Sequence, residues 1–290
     1  MNKAKGCFIA FIVVFVIGLI LVLLFALPDF NKTSTEQDSS DKQVSSSGFG
    51  SNNFLFLGVD EREGLKNFKG RTDTIIIYHI APWGQKDCLI SIPRDTRVKL
   101  EGHGWSKINA AYVYGKEKML KDEIYQLTEI SINRTMLINF DGFKKVIDAL
   151  GGVKIVVDVP LHDPMSGANF DPGTYIMNGE QALSFARCRS TAKGDFDRVD
   201  RQKYLLSELI RQKINFSLII KAPQLLNILN TETKSDFSAA DFTKLAITLM
   251  FSNKDIERIT IPGKTANIDG VSYVVVNEKE VKEFLSKYIK

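Results

Sequence analysis

The chain has 290 residues, with 38 lysines and arginines against 34 aspartates and glutamates, a net charge of +4 at pH 7. A balance this near neutrality argues against a polyanion binder that works by bulk field, so anion recognition must come from where the arginines sit. Three cysteines and three histidines, scattered and without metal-ligand spacing, speak against a disulfide framework and a zinc centre.

The chain begins Met-Asn-Lys-Ala-Lys-Gly and then runs without a charge from Cys7 to Leu27. A helix of that length spans roughly 30 Å, the thickness of a bilayer's hydrocarbon core. Lys3 and Lys5 precede the run, and the flank beyond it is mixed and slightly acidic. The positive-inside rule therefore puts residues 1–6 in the cytoplasm, makes 7–27 a transmembrane signal anchor, and puts everything after it outside. A cleaved signal peptide is the rival reading, for which Ala26-Leu27-Pro28 is a poor cleavage site. Residues 28–50, rich in Ser, Asp, Lys and Gln, read as a flexible linker. Residues 51–290 remain, enough for one large domain or two small ones.

FLFLGV (54–59) is a buried-strand pattern ending at Asp60, and the β-branched TDTIIIYHI (72–80) predicts a second strand. Pro82, Trp83 and Gly84 make a turn, and CLISI (88–92) is a third strand stopped by Pro93. Apolar spacing predicts a helix over 107–130, and FDGFKKVIDALGG (140–152) a helix ending at Gly151-Gly152. VKIVVDV (153–159) reads as a strand stopped by Pro160. Residues 161–178, rich in Gly, Pro, Asp and Asn, read as a loop, with Asp158, Asp163 and Asp171 as turn or strand-edge residues. NGEQALSFAR opens a helix at 178, and 196–214 is a long amphipathic helix. Two more helices are predicted between 219 and 251, then strands in IERITIPG and VSYVVVN and a final helix. Elements mixed without a strict βαβ rhythm predict an α/β fold, an αβα sandwich with a mixed central sheet. Cys88 and Cys188 read as buried thiols, a bridge between them being the alternative.

If the first three strands pair as hairpins, Asp60, Arg71, Asp73, Arg94 and Asp95 fall at one end of the sheet. A period of two puts Arg71 and Asp73 on one face. Arg187 and Arg189, two apart, share a face of an extended segment with Cys188 on the other. Asp195, Arg198 and Gln202 share a helix face, with Arg201 beside it. Cations this dense need an anion, and arginine's planar fork matches phosphate oxygens. Nearby aspartates suggest a hard cation such as magnesium, which binds one or two carboxylates plus substrate phosphates. The pattern reads as a pyrophosphate site with magnesium. Any single Arg–Asp pair here is more often a surface contact of little worth, so the reading rests on several clusters of one character. Arg97, Lys99, Lys116, Lys118 and Lys121 read as solvated surface, and the aromatics of FLFL and FDGF as core.

GVDER (58–62), RTDT (71–74), SIPRDT (91–96), KINAAY (107–112), DALGGV (148–153), NGEQALSFARCR (178–189) and GDFDRVDRQ (194–202) resemble, in order and spacing, the LytR-CpsA-Psr family of envelope proteins. The resemblance covers roughly residues 52–215. It implies a single-pass protein of the Gram-positive cell membrane with its catalytic domain outside, and a polyprenyl chain held in an apolar tunnel. It implies a phosphotransferase that moves a glycan such as teichoic acid or capsule from polyprenyl (undecaprenyl) pyrophosphate to peptidoglycan, with Mg2+, or Mn2+, as cofactor. Carried over by position, Asp60 and Asp73 match the metal site, and Arg71, Arg94, Arg187, Arg189, Arg198 and Gln202 match the pyrophosphate set. Asp195, Arg201, Lys107 and Asn109 stand at further polar motif positions. Arg94, Arg187 and Arg189 would stabilise charge in the transition state, and Asp73 or Asp95 would take the acceptor's proton. Phe185, Asp197 and the single glycine Gly115 depart from the family pattern. A polyprenyl-pyrophosphate hydrolase and a non-catalytic lipid-binding regulator are the competing functions. No helix-turn-helix or basic reading helix points to nucleic acid.

Overall fold

The computed structural model describes residues 52–59, 68, 70–82, 85–191, 195–213, 224–225, 227–229, 231–237, 241, 245, 249 and 255–289. The predicted anchor 7–27, its flanks 1–6 and 28–50, Asp60 and most of 219–251 lie outside these residues, as does the side chain of Asp195. Among the described residues no helix is long and apolar enough to cross a membrane. The chain divides into two compact units, residues 1–47 with 237–248 and residues 48–236 with 249–290. Of the first only Phe237, Asp241 and Leu245 are described; every element named below belongs to the second.

In chain order the strands and helices are β1 (Asn52–Val59), β2 (Thr72–Ile80), β3 (Cys88–Ser91), β4 (Arg97–Leu100), β5 (Gly104–Lys107), α1 (Ile108–Thr128), β6 (Arg134–Ile138), α2 (Phe140–Ala149), β7 (Val153–Val157), β8 (Leu161–Asp163), β9 (Ala168–Phe170) and β10 (Gly173–Met177). They continue with α3 (Gly179–Arg187), α4 (Asp195–Lys213), β11 (Thr233–Ser235), β12 (Glu257–Thr260), β13 (Lys264–Ile268), β14 (Val271–Val275) and α5 (Glu278–Leu285).

The central sheet has the order β11-β6-β1-β2-β3-β12. β2 runs antiparallel to both β1 and β3, whereas β6 pairs parallel with β1 and β12 parallel with β3. The predicted mixed sheet is therefore present. β2 is buried along most of its length, as its unbroken β-branched run requires of a strand covered on both faces. Leu55, Leu57, Ile75, Ile77 and Ile90 pack on one face against Ile108, Tyr112, Leu120 and Ile124 of α1 and Val281 and Leu285 of α5. A second core joins Ile147 of α2, Val153 and Ile155 of β7, Ala182 and Phe185 of α3 and Leu205 of α4. Cys88 and Cys188 are both free and buried, as buried thiols should be. Burial pushes the Cys88 thiol up to about 12.

Several elements differ from the sequence expectation. Residues 161–178 contain three strands, β8 to β10, because strands of three to five residues leave too little periodicity between turn residues to be read. β4 and β5 form a hairpin where surface was expected. The edge strand β11 sits inside the segment expected to be helical.

α1 carries a break at Gly115 and Lys116. Lys116 has φ 53° and ψ −148°, a combination that only glycine adopts without strain. This is the place where the family pattern has its second glycine, so the departure has a structural cost. Replacing Lys116 by glycine should stabilise the protein by about 1 kcal/mol, the low end of such strain. A thermal melt of Lys116→Gly checks this; an unchanged or lowered midpoint would remove the strain argument.

Candidate functional site

The registers bring several strand ends to one edge of the sheet. Gly58 near the end of β1 pairs with Ile138 at the end of β6 and with Thr74 near the start of β2. Ser91, ending β3, pairs with Thr260, ending β12. Ligands of α/β sheets bind outside the carboxyl ends of their strands, and four such ends meet here. A β-bulge adds the detail that matters. Gly58 pairs with Thr74 and Val59 with Thr72, so Asp73 is the extra residue. Such a bulge re-aims a side chain and breaks the period of two. Arg71 is accordingly exposed and does not line the cavity, while Asp73 does.

That cavity holds about 590 Å³. Of the residues singled out from sequence, Asp73, Arg94, Arg187, Arg189, Arg198 and Gln202 line it together. They come from β2, the turn after β3, the end of α3 and the turn beyond it, and the first half of α4.

Arg94 is fixed from several sides. Its Nη1 donates to Asp73 Oδ1 at 2.7 Å, and its Nε lies 3.7 Å from Asp95 Oδ2. Asp95 Oδ1 in turn holds Lys107 Nζ at 2.8 Å. Thr96 Oγ1 donates to the Pro93 carbonyl at 2.6 Å, and the Asn109 N–H donates to the Arg94 carbonyl at 3.3 Å. Lys107, Asn109 and Asp95 do not line the cavity; they hold the turn that presents Arg94.

Arg187 ends α3 and stacks on Phe140 at the start of α2, 4.7 Å from the ring centre. The two helices can touch because Gly179 has no side chain: a Cβ there would lie 2.4 Å from the Lys144 carbonyl oxygen. Asn178 and Gln181 close a capping box, and the Gly179 N–H donates to Asp148 Oδ1 at 2.7 Å. These contacts fix where α3 starts and how it lies against α2, and thus where Arg187 at its far end points.

Asp163, expected to be a turn or strand-edge residue, does end β8 and is also part of the site wall. Its Oδ2 accepts the Arg189 N–H at 2.8 Å and its Oδ1 the Met165 N–H at 3.0 Å. The Arg189 N–H foremost holds this carboxyl below the usual aspartate range, against its burial. Arg189 therefore owes its position to a residue whose only sequence signal is an Asp-Pro turn.

Arg198 is 4% exposed. Gln202, one turn on, accepts from Thr74 Oγ1 at 3.2 Å and donates to the Ala186 carbonyl at 3.3 Å. Arg201 points elsewhere: it donates to the Cys188 carbonyl and, at 3.3 Å, to Thr191 Oγ1, bracing the turn between α3 and α4. Lys203, which carried no sequence signal, is 3% exposed and donates to Thr260 Oγ1 at 2.6 Å while pairing with Asp200 at 2.8 Å. It pins α4 to the end of β12.

Four arginines face two carboxylates around this cavity, so its wall is set up for a polyanion. Among the described residues no group of three or more His, Cys, Asp or Glu could hold a metal ion by itself. Asp73 fits a divalent cation in a different way: one oxygen is tied to Arg94, and the carboxylate fronts a cavity sized for phosphates. A magnesium bound there would be completed by substrate oxygens. The apolar members of the described wall, Gly58, Phe140 and Met165, do not by themselves outline a lipid tunnel.

The sequence profile of the LytR_cpsA_psr family matches residues 25–290. A relative from Halalkalibacterium halodurans, named polyisoprenyl-teichoic acid–peptidoglycan teichoic acid transferase TagU, is 34% identical over 230 residues, 78% of this chain and 74% of that one. Biofilm regulatory protein A of Streptococcus mutans is 30% identical over 277 residues, 89% of this chain and 68% of that one. Among solved structures, Bacillus subtilis TagV superposes with a TM-score of 0.70 at 28% identity, covering 83% of this chain and 98% of TagV.

Proposed function

The chain belongs to the LytR-CpsA-Psr family, and from that premise we infer that it transfers an anionic glycopolymer from a polyprenyl pyrophosphate carrier to peptidoglycan. The observation that carries this reading is the convergence of Arg94, Arg187, Arg189 and Arg198 on one cavity beside Asp73. A relative named as a teichoic acid transferase supports the same reaction class.

In this reaction an acceptor hydroxyl, such as the 6-hydroxyl of N-acetylmuramic acid, attacks the phosphorus next to the sugar. The bond from that phosphorus to the bridging oxygen breaks, polyprenyl phosphate leaves, and the polymer becomes joined to the wall by a phosphodiester. Catalysis of such a step is mainly positioning and charge stabilisation. Arg94, held by Asp73 and Asp95, aims its fork at the negative oxygens. Arg187 and Arg189 approach from α3 and the turn after it, and buried Arg198 from α4. Asp73 fronts the cavity with one oxygen outside its Arg94 bond, a place either for the acceptor's proton or for a metal ion but not for both at once; Asp95 reaches the cavity only through Arg94, and the oxygens of Asp163 are held by backbone N–H groups. Magnesium, when bound at Asp73 with Asp60, would neutralise pyrophosphate charge.

A membrane-borne donor gives the apolar run 7–27 a role: it anchors a catalytic unit lying outside the cytoplasm, and the linker 28–50 sets its reach. The protein then works at the Gram-positive cell membrane. Sequencing the mature N-terminus tests this, a start near residue 28 being incompatible with an anchor.

The reaction itself is checked with the purified full chain, a lipid-linked polymer and uncrosslinked peptidoglycan. Polyprenyl phosphate should appear in step with polymer–peptidoglycan conjugate and only when acceptor is present. Equal release with water alone would make the protein a hydrolase.

A further inference from the structure

The hairpin of β4 and β5 has an inner face made by Val98 and Leu100, both buried. Its outer face follows from the register, in which Arg97 lies opposite Lys107 and Lys99 opposite Trp105. Residues directly opposite share a face, so three cations and an indole stand together. Trp105 is 56% exposed. The Arg97 guanidinium lies over the Trp105 ring at 4.1 Å and near the Tyr273 ring at 5.8 Å, and Lys107 Nζ is 5.9 Å from Tyr273. Tyr273 belongs to β14, so a second hairpin borders the surface. The tip of the first is held against α1 by His103 stacked on Tyr114 at 3.9 Å.

This arrangement leaves cations and an aromatic face turned outward together. Like charges directly opposite on paired strands are destabilising. The buried Nε of Arg97 has no hydrogen-bond partner. Aromatic faces offset part of the repulsion, and Asp95 takes Lys107. The chain of contacts from Lys107 through Asp95 and Arg94 to Asp73 runs from this face to the cavity wall. The face is thus continuous with the reaction site without being part of its lining.

We propose that Trp105, Arg97, Lys99, Lys107 and Tyr273 form the docking platform for a carboxylate-bearing glycan strand, the acceptor side of the transfer reaction. The chemistry on both sides fits. The C–H face of a pyranose stacks on an exposed aromatic ring, and the cations beside it match the free carboxylates of the stem peptides on an uncrosslinked strand, Lys107 being shared with Asp95. The proposal rests on the transferase reading and assigns a surface to its second substrate.

The test titrates the full-length protein with a soluble, uncrosslinked peptidoglycan oligomer, and in parallel with a neutral chito-oligosaccharide and with vesicles containing anionic lipid. Trp105→Ala and Arg97→Gln should each weaken oligomer binding by about tenfold or more, the usual effect of removing an aromatic or arginine anchor. Trp105→Phe should restore most of it. In the transfer assay the acceptor KM should rise with kcat little changed, and the affinity for polyprenyl pyrophosphate serves as the control for folding. The wild type should prefer the oligomer to the neutral sugar. Unchanged oligomer binding in both alanine and glutamine variants overturns the platform, as does a loss confined to vesicle binding. If the wild type binds the oligomer through these residues yet transfers nothing, the platform stands and the transferase reading falls.

Discussion

Arg94→Ala should lower kcat for polymer transfer by about 10² to 10³-fold, the loss seen when one preorganised donor to a developing oxyanion is removed. The geometry gives the reason. Arg94 is held at 2.7 Å by Asp73 and at 3.7 Å by Asp95, and its turn is fixed by the Asn109 N–H. Its orientation is paid for in the free protein, so little reorganisation is left for the reaction. Asp73→Ala should be at least as severe, because it removes a strut of Arg94, the nearest described base and a carboxylate suited to magnesium. Both side chains are about a quarter exposed, so water can solvate what is left and the fold should survive. Asp73→Asn separates the roles: it keeps an oxygen for Arg94 and removes the charge. Steady-state rates beside thermal melts check this; full activity in both alanine variants would overturn the assignment.

The second large effect belongs to Arg198. It is buried at 4% exposure, on the first turns of a helix that Lys203 pins to β12. A charge in such a place is weakly screened, so its attraction for a diphosphate outlasts salt that would weaken a surface contact. Truncating one partner of a buried, hydrogen-bonded charge pair costs about 2–5 kcal/mol, so Arg198→Met should weaken binding of polyprenyl pyrophosphate by at least about 30-fold. Arg198→Lys should not restore it, since an ammonium cannot reproduce the planar fork. Calorimetric titration at low and high salt reads this directly. Equal affinity in the methionine variant would place the diphosphate elsewhere.

How much of this was legible depended on whether a signal was local. The β-branched run 72–80 predicted β2 to the residue, because a strand buried on both faces needs little else. The arginines of the motifs were legible as a group, because cations clustered at several points need a common anion. Arg71 stands outside the lining of this cavity, because the bulge at Asp73 breaks the alternation that would put the two on one face. Asp163 was missed because its role, holding the Arg189 N–H, is made between segments 26 residues apart. Phe140 read as core although it stacks on Arg187, since an aromatic in an apolar pattern carries no mark of its partner. Arg97 read as solvated surface, yet lies over Trp105, a contact made by cross-strand register alone. Lys116 carried its signal only by comparison with the family pattern, where the missing glycine coincides with a backbone angle that needs one.

The cavity between β2, the turn after β3, α3 and α4 should hold a diphosphate. The most direct measurement is the structure of the protein bound to a polyprenyl pyrophosphate with magnesium. The diphosphate should lie within hydrogen-bond distance of Arg94, Arg187, Arg189 and Arg198, with a metal ion between its oxygens and Asp73. A diphosphate bound elsewhere, with this cavity empty, would contradict it.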